Sequence, residues 1–220
     1  MLSRMPRWSR YVLGTFLVLL MVTGVLGVYT GLLGTNFRSI DAAKCYRSGQ
    51  LSGSVLEEHI RKEKLRCVLN LRGDSRAKWY ADEKKVCEKS NVELVSIEVS
   101  LGKLSDPKEL LTLAERIEKG PYPMLMHCKN GSDRSGLGSV FYQMIAQKKN
   151  LDEALATQLN WHFGHIIVGN GACIDEFFEL YRKTADGRDL KTWLKDAYPA
   201  LYKERVASSK IEKGVDDSQK

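Results

Sequence analysis

The stretch Met124-Leu125-Met126-His127-Cys128-Lys129-Asn130-Gly131-Ser132-Asp133-Arg134-Ser135-Gly136 constrains the fold of this chain more than any other. It reads as a short buried strand, a tight polar loop containing Gly131, and a helix that starts near Arg134. In α/β sheets, ligands gather outside the carboxyl ends of the strands. A loop running from such an end into a helix N-terminus turns several backbone N–H groups inward, and these cradle an anion. A phosphoryl group carries about two negative charges and suits that cradle.

The surrounding sequence alternates in the same way. Residues 66–71 and 92–98 read as further strands, and 45–48 as a short edge strand. Helical patterns occupy 54–64, 77–89, 134–147, 151–162, 173–184 and 189–197. Asp106-Pro107-Lys108-Glu109 opens another helix, with Asp at the N-cap, Pro at N1 and Glu at N3. The expected fold class is α/β, a central mixed sheet of about four to five strands flanked by helices. A domain is expected over 44–200, after a linker at 34–43 and before a polar, flexible tail at 201–220.

Residues 11–33 contain no charged side chain. At about 1.5 Å per residue the run exceeds the roughly 30 Å of a hydrocarbon core. A cleaved signal peptide competes with an anchor, since Val25 and Gly27 are small enough to precede a cleavage point. The run is longer than the usual ~7–15-residue apolar region of such peptides, which favours one transmembrane helix at 11–33 behind a basic segment at 1–10. Arg4, Arg7 and Arg10 place that N-terminus in the cytoplasm and the domain outside. Gly27 and Gly31 form a G-x-x-x-G spacing that offers a weak homodimer face. Residues 1–47 hold +5 of the net charge of +7, so the basicity flanks this segment rather than lining a groove, and no nucleic-acid partner is expected.

None of the five cysteines forms a C-x-x-C pair, which removes zinc-ribbon and thioredoxin readings. Cys45, Cys67, Cys87 and Cys173 read as small core residues. If the domain lies outside the cytoplasm, two of them could be bridged, and the sequence does not choose which. Cys128 differs, because the helix dipole, the inward N–H groups and Arg134 all favour its thiolate. A thiolate is a nucleophile at neutral pH without a separate base. Arg134 can hold two phosphoryl oxygens bidentately. Lys129, Asn130, Gly131 and Ser132 complete the phosphate-binding loop. Ser135 can donate a hydrogen bond to the thiolate, and His127 orients the loop from behind. His162 and His165 are three apart, but no acid or cysteine completes a ligand set near them, so they read as packing residues and no metal or cofactor is expected.

Cys-x5-Arg alone is weak, with roughly 0.3 chance matches in a chain of this composition. The full His-Cys-x-x-Gly-x-x-Arg-Ser-Gly string resembles the signature of the protein tyrosine phosphatase superfamily, most closely small bacterial dual-specificity-like phosphatases that include exported ones. The resemblance spans about 44–183 and takes in Tyr46-Arg47-Ser48-Gly49-Gln50 and Val68-Leu69-Asn70-Leu71-Arg72. It implies the cysteine-phosphatase fold, a phosphocysteine on Cys128, phosphate held by Arg134, and no metal. The implied activity is hydrolysis of phosphomonoesters of the phosphotyrosine or dual-specificity type. The implied location is a single-pass protein of a bacterial inner membrane with the domain on the periplasmic side. Phosphoinositide-directed relatives carry Lys at the place of Lys129. With the anchor, this keeps a lipid phosphate open beside a phosphoprotein as substrate.

The general acid departs from that pattern. Relatives take it from an Asp on a separate loop, which here should lie in 100–105 and contains no acid. Asp106 is the second choice, and its N-cap role already accounts for it. Asp133 is the first choice, as in myotubularin-like relatives, and the alternative for it is an ion-pair brace. A sulfurtransferase of the rhodanese type is disfavoured by Arg134 and the Arg-Ser-Gly helix start. An arsenate reductase would place its loop near the start of the domain, whereas about eighty residues of domain precede Cys128. A phosphate-binding pseudophosphatase has only the missing loop Asp in its favour, since Cys128 and Arg134 are intact.

Overall fold

The computed structural model describes residues 7–33 and 35–217, with side chains described for all of these except 7, 10, 25–33 and 209–217. The chain runs α1 (Arg7–Leu33), β1 (Arg38–Asp41), β2 (Cys45–Ser48), α2 (Gly53–Glu63), β3 (Cys67–Asn70), α3 (Lys78–Lys89), β4 (Glu93–Ser96) and α4 (Pro107–Lys119). It continues through β5 (Met124–His127), α5 (Asp133–Ile145), α6 (Leu151–Gln158), α7 (Ala172–Thr184), α8 (Leu190–Asp196) and α9 (Tyr198–Asp217).

Period-two alternation decides which face of the sheet each strand residue covers. Met124 and Met126 of β5 enter the larger core, and Leu125 enters the smaller one. Cys67 and Leu69 against Val68 in β3, and Cys45 against Tyr46 in β2, repeat the division. All three strands are buried on both faces, as interior parallel strands must be. The order is β1-β2-β5-β3-β4. β2 and β3 lie parallel to β5, β4 lies parallel to β3, and β1 closes the edge antiparallel to β2. This is the mixed sheet the alternation predicts, with one correction: 45–48 is an interior strand. Its cover is β1, which forms within the supposed linker. The two outer residues of β1 are exposed, so it carries no hydrophobic pattern to betray it.

Helices α2 and α3 cover the smaller core through Leu56, Ile60 and Cys87. Helices α4, α5, α7 and α8 cover the larger one. In α5 most of the residues from Ser135 to Gln143 are buried on every side, which marks it as a core helix rather than an amphipathic one. Phe177, Tyr181, Trp193 and Tyr198 meet edge to face, with Phe177–Tyr198 centroids 5.2 Å and Tyr181–Trp193 centroids 5.1 Å apart. Trp193 Nε1 donates to Thr184 Oγ1 at 2.9 Å, and Tyr198 Oη donates to the Ser105 carbonyl at 2.8 Å.

At the ends the chain differs from the sequence-based expectation. Where a polar tail is expected from 201, α9 continues, seeded by buried Tyr198 and by Leu201 and Tyr202 packed on the core. Helix α6 stops at Gln158 instead of 162, because the Asn160 side chain caps a new 3-10 turn, Trp161–Phe163. Among the described residues no helix is long and apolar enough to cross a membrane, so the span expected over 11–33 finds no support there. The described run of apolar, exposed side chains extends from Tyr11 to Gly24. The Gly27/Gly31 pair lies outside the described side chains. All five cysteines are free thiols.

Candidate active site

The central strand delivers Cys128 to the carboxyl edge of the sheet, where its N–H donates to the Ser48 carbonyl at 3.3 Å. The chain then turns through 129–132 into α5. Gly131 makes the turn with φ +74°, and a Cβ there would stand 2.6 Å from Gly49 N and 2.8 Å from Ser48 C. No other residue fits that place. The turn carries Gly131 N–H to 3.3 Å from Cys128 Sγ, while Ser135 Oγ lies 3.5 Å away on the other side. Burial by itself pushes the Cys128 thiol up. The Ser135 hydroxyl and N–H, the Arg134 guanidinium and the Gly131 N–H outweigh it, so the thiol titrates below an ordinary cysteine.

Two features leave the mouth of this loop ready for an anion. Ser132, the N-cap of α5, makes no side-chain capping bond, so the first N–H groups of the helix are not taken by it. Among the described residues, buried Arg134 Nε has no hydrogen-bond partner, and no carboxylate pairs with that guanidinium. Lys129 and Asn130 form the exposed lip, and Gly131 and Ser132 the buried wall.

The floor of the loop is held by two residues the sequence reading did not single out. Arg47 is fully buried in β2. Its Nη2 donates to the carbonyls of Gly131 and Ser132, both at 2.9 Å, and its Nη1 to the Gln158 carbonyl. Its guanidinium carbon lies 4.3 Å from the Phe163 ring centre. Burial lowers Arg47 to about 10, opposed by the nearby Cys128 and Asp133 charges, which leaves it cationic at neutral pH. Asn36 Nδ2 donates to the carbonyls of Asn130, Gly131 and Phe163 at 3.0–3.2 Å. A peptide's C=O and N–H point opposite ways across one plane, so carbonyls tied to the floor turn their N–H partners toward the centre. The signal for Arg47 was in the sequence: a cation inside a strand-like run must find buried acceptors. Asn36 lies within the supposed linker and gave none.

His127, expected to orient the loop, is buried beside α3, with its Nε2 2.7 Å from Glu83 Oε1. Asp133 opens α5 with Oδ1 2.7 Å from His165 Nδ1, and His165 Nε2 is 3.2 Å from Asp175 Oδ1. Burial alone lowers His165, but hydrogen bonds and charge from the two carboxylates raise it to about 9. It therefore sits between Asp133 and Asp175 as an imidazolium. The ion-pair brace weighed for Asp133 is thus present. Asp106 caps α4, accepting from Lys108 N at 2.8 Å, and the loop before it is tied to the Asn170 carbonyl through Gly102 N at 2.9 Å. His162 is exposed, stacked on Trp161 at 3.8 Å, and does not join His165. Among the described residues no group of three or more His, Cys, Asp or Glu side chains could hold a metal ion.

A family model described as DSP-PTPase phosphatase fused to NAD+ kinase matches residues 32–168, which take in the whole sheet, Asn36, Arg47, the Cys128 loop and His165. Among solved structures, Tk-PTP in its active form is similar over 66% of this chain and 96% of its own, at 23% identity and a TM-score of 0.52. The core catalytic domain of the PP-IP phosphatase SIW14 from S. cerevisiae is similar over 68% and 93%, at 18% identity and a TM-score of 0.51. PTPMT1 is similar over 68% and 98%, at 15% identity and a TM-score of 0.50. At these identities the likeness is one of fold. No curated protein sequence matches the chain.

Proposed function

Because the chain belongs to the family of DSP-PTPase phosphatases fused to NAD+ kinase, we propose that it hydrolyses phosphomonoesters through a phosphocysteine at Cys128. The observation that carries this reading is the pairing of a thiol held below its ordinary range with a buried guanidinium nitrogen that has no partner of its own. In the first step the Cys128 thiolate attacks phosphorus while Arg134 and the loop N–H groups take the equatorial oxygens. The leaving oxygen departs with a proton from Asp133, which must be the neutral carboxyl for this step and not the partner of the His165 ion pair, and the carboxylate that remains re-forms that pair. In the second step water attacks phosphorus and yields its proton to the Asp133 carboxylate, while the Ser135 hydroxyl stabilises the departing Cys128 thiolate.

Rapid mixing of the protein with p-nitrophenyl phosphate should give a burst of nitrophenol and a phosphorylated Cys128 peptide by mass spectrometry. No burst and no adduct would leave a phosphate-binding pseudophosphatase. The proton donor is tested by leaving group. Asp133→Asn should slow an alkyl phosphate more than an aryl phosphate, and more than Asp106→Asn does. His165→Gln removes the brace and keeps the carboxyl. If it reproduces Asp133→Asn on both substrates, bracing is all that Asp133 does.

A phosphoprotein substrate follows the family pattern. A second reading, a membrane lipid phosphate, is favoured by exposed Trp161, Ile166, Ile167 and Val168 on the segment that carries His165. In this reading α1 holds the domain at a bilayer, with the N-terminus cytoplasmic and the catalytic face on the periplasmic side. The exposed apolar side chains from Tyr11 to Val22 support contact of α1 with a bilayer, and the sidedness follows from Arg4, Arg7 and Arg10 alone. Turnover of phosphopeptides against phospholipid mixed micelles separates the two.

A further inference from the structure

A second arginine stands beside the cradle, and the mechanism does not use it. β3 and β5 run parallel with Asn70 opposite His127, and Leu71 N donates to the His127 carbonyl at 2.9 Å. The chain leaving β3 therefore rises next to the chain leaving β5, and brings Arg72 alongside the Cys128 loop. A local turn fixes this path. Asn70, fully buried, accepts from Arg72 N at 3.0 Å and donates to the Gly73 carbonyl at 3.0 Å.

The Arg72 side chain is held on two sides. Its guanidinium carbon lies 3.6 Å from the Trp79 ring centre, and its Nη1 donates to Gln50 Oε1 at 2.8 Å. Gln50 is in turn fastened to the catalytic loop, because its N–H donates to the Lys129 carbonyl at 3.0 Å. Stacking on an aromatic face fixes the plane of a guanidinium and leaves the edge of its fork available to a planar or phosphate acceptor. Among the described residues no carboxylate lies within ion-pair distance of it. The nearby acid, Glu83, is buried with Oε1 2.7 Å from His127 Nε2 and 3.5 Å from Gln50 Nε2.

Arg72 and Arg134 feel each other. The proton affinity of Arg72 is lowered by burial first and by the Arg134 charge second. Exposed Lys129 adds a third cation at the lip. One phosphoryl dianion is already matched by Arg134 and the loop N–H groups, so this additional rigid cation is in excess of what a simple monoester needs.

We propose that Arg72, positioned by Trp79 and Gln50, is a second anion subsite that takes a second phosphate of the substrate while the scissile one sits over Cys128. The proposal rests on the phosphatase reading and names its substrate class: compounds with a second phosphate near the hydrolysed one. That chemistry is shared by soluble polyphosphorylated metabolites and by polyphosphorylated lipid headgroups.

The test uses the full chain and four probes: inositol monophosphate and a vicinal inositol bisphosphate, each free and as the phosphatidyl lipid in mixed micelles. The quantity read is the ratio of kcat/KM for bisphosphate to that for monophosphate. Arg72→Gln should lower this ratio by about tenfold or more, one lost bidentate contact of roughly 1.4 kcal/mol or more. Arg72→Lys should fall between the two, since it keeps charge and loses the fork. A ratio that moves less than threefold, whether through equal losses or none, overturns the subsite. The free and micellar arms show which source of the second phosphate the site prefers. Binding of the same free probes to Cys128→Ser and to Cys128→Ser/Arg72→Gln gives a readout without turnover. A wild-type chain that hydrolyses nothing would sink the phosphatase reading alone. Equal affinity of the two variants for the bisphosphate would sink the subsite alone.

Discussion

Arg47 and Arg134 lie on opposite sides of one loop and do opposite work. Arg47 lies beneath it, fully buried, with donors committed to the carbonyls of Gly131, Ser132 and Gln158. Arg134 lies at its mouth, with a buried Nε for which no described residue is an acceptor. The difference teaches how a charged site is made rigid before its ligand arrives. One cation is spent on backbone acceptors so that the loop holds its shape, and a second is kept without an acceptor so that an anion supplies it.

The comparison can be broken at either side. Cys128→Ser should remove turnover to background, a loss of about 10⁴-fold or more, with vanadate binding retained if the cradle stands without its nucleophile. Arg134→Lys keeps the charge and loses the fork, and should lower kcat by about 10²–10³-fold with little change in stability. A drop in stability as large as that of Arg47→Met would erase the distinction between mouth and floor. Arg47→Met leaves buried carbonyls without donors and should cost about 3 kcal/mol or more in urea unfolding. Iodoacetamide alkylation against pH should also show the Cys128 thiol moved up, because the Gly131 N–H is no longer aimed at it.

The smaller effects sharpen the same contrast. His165 titrates at about 9 in the folded chain against about 6.5 for a free imidazole. Its raised value means its bridge stabilises fully below about pH 6.5 and is lost as pH rises through about 9. The wild-type chain should therefore lose stability relative to His165→Gln across that window, and parallel unfolding curves from pH 6 to 10 would disprove the bridge. Asn36→Ala should cost about 1–2 kcal/mol and weaken vanadate binding severalfold. A change in stability without any change in vanadate affinity would mean that Asn36 only closes the floor.

The chemistry of the mouth was written locally, and so it was legible. A strand, a cysteine, a glycine that must turn, and an arginine at the helix start all fall within thirteen consecutive residues, 124–136. The fold was legible for the same reason, since β3, β4 and β5 announce themselves by continuous burial or flanking helices. The floor was not. Asn36 and Arg47 act on residues 84–95 positions away, and only the parallel pairing of β2 with β5 brings them there. His165 was read as a packing residue because its two carboxylates, Asp133 and Asp175, lie 32 and 10 positions off. β1 escaped notice because an edge strand with exposed outer residues has no pattern to show.

The short connector after α1 has a mechanical consequence. That helix ends at Leu33, and Asn36 already grips three carbonyls on the underside of the catalytic turn. Two intervening residues span at most about 11 Å fully extended from one to the other, so the end of the helix can lie no further than that from Asn36. Any tilt or traction applied to the N-terminal helix reaches the phosphate cradle through the Thr35 carbonyl, which accepts from Gly49 N at 2.7 Å, and through the Asn36 amide, and a truncated protein keeps both holds only if the cut falls ahead of these two residues.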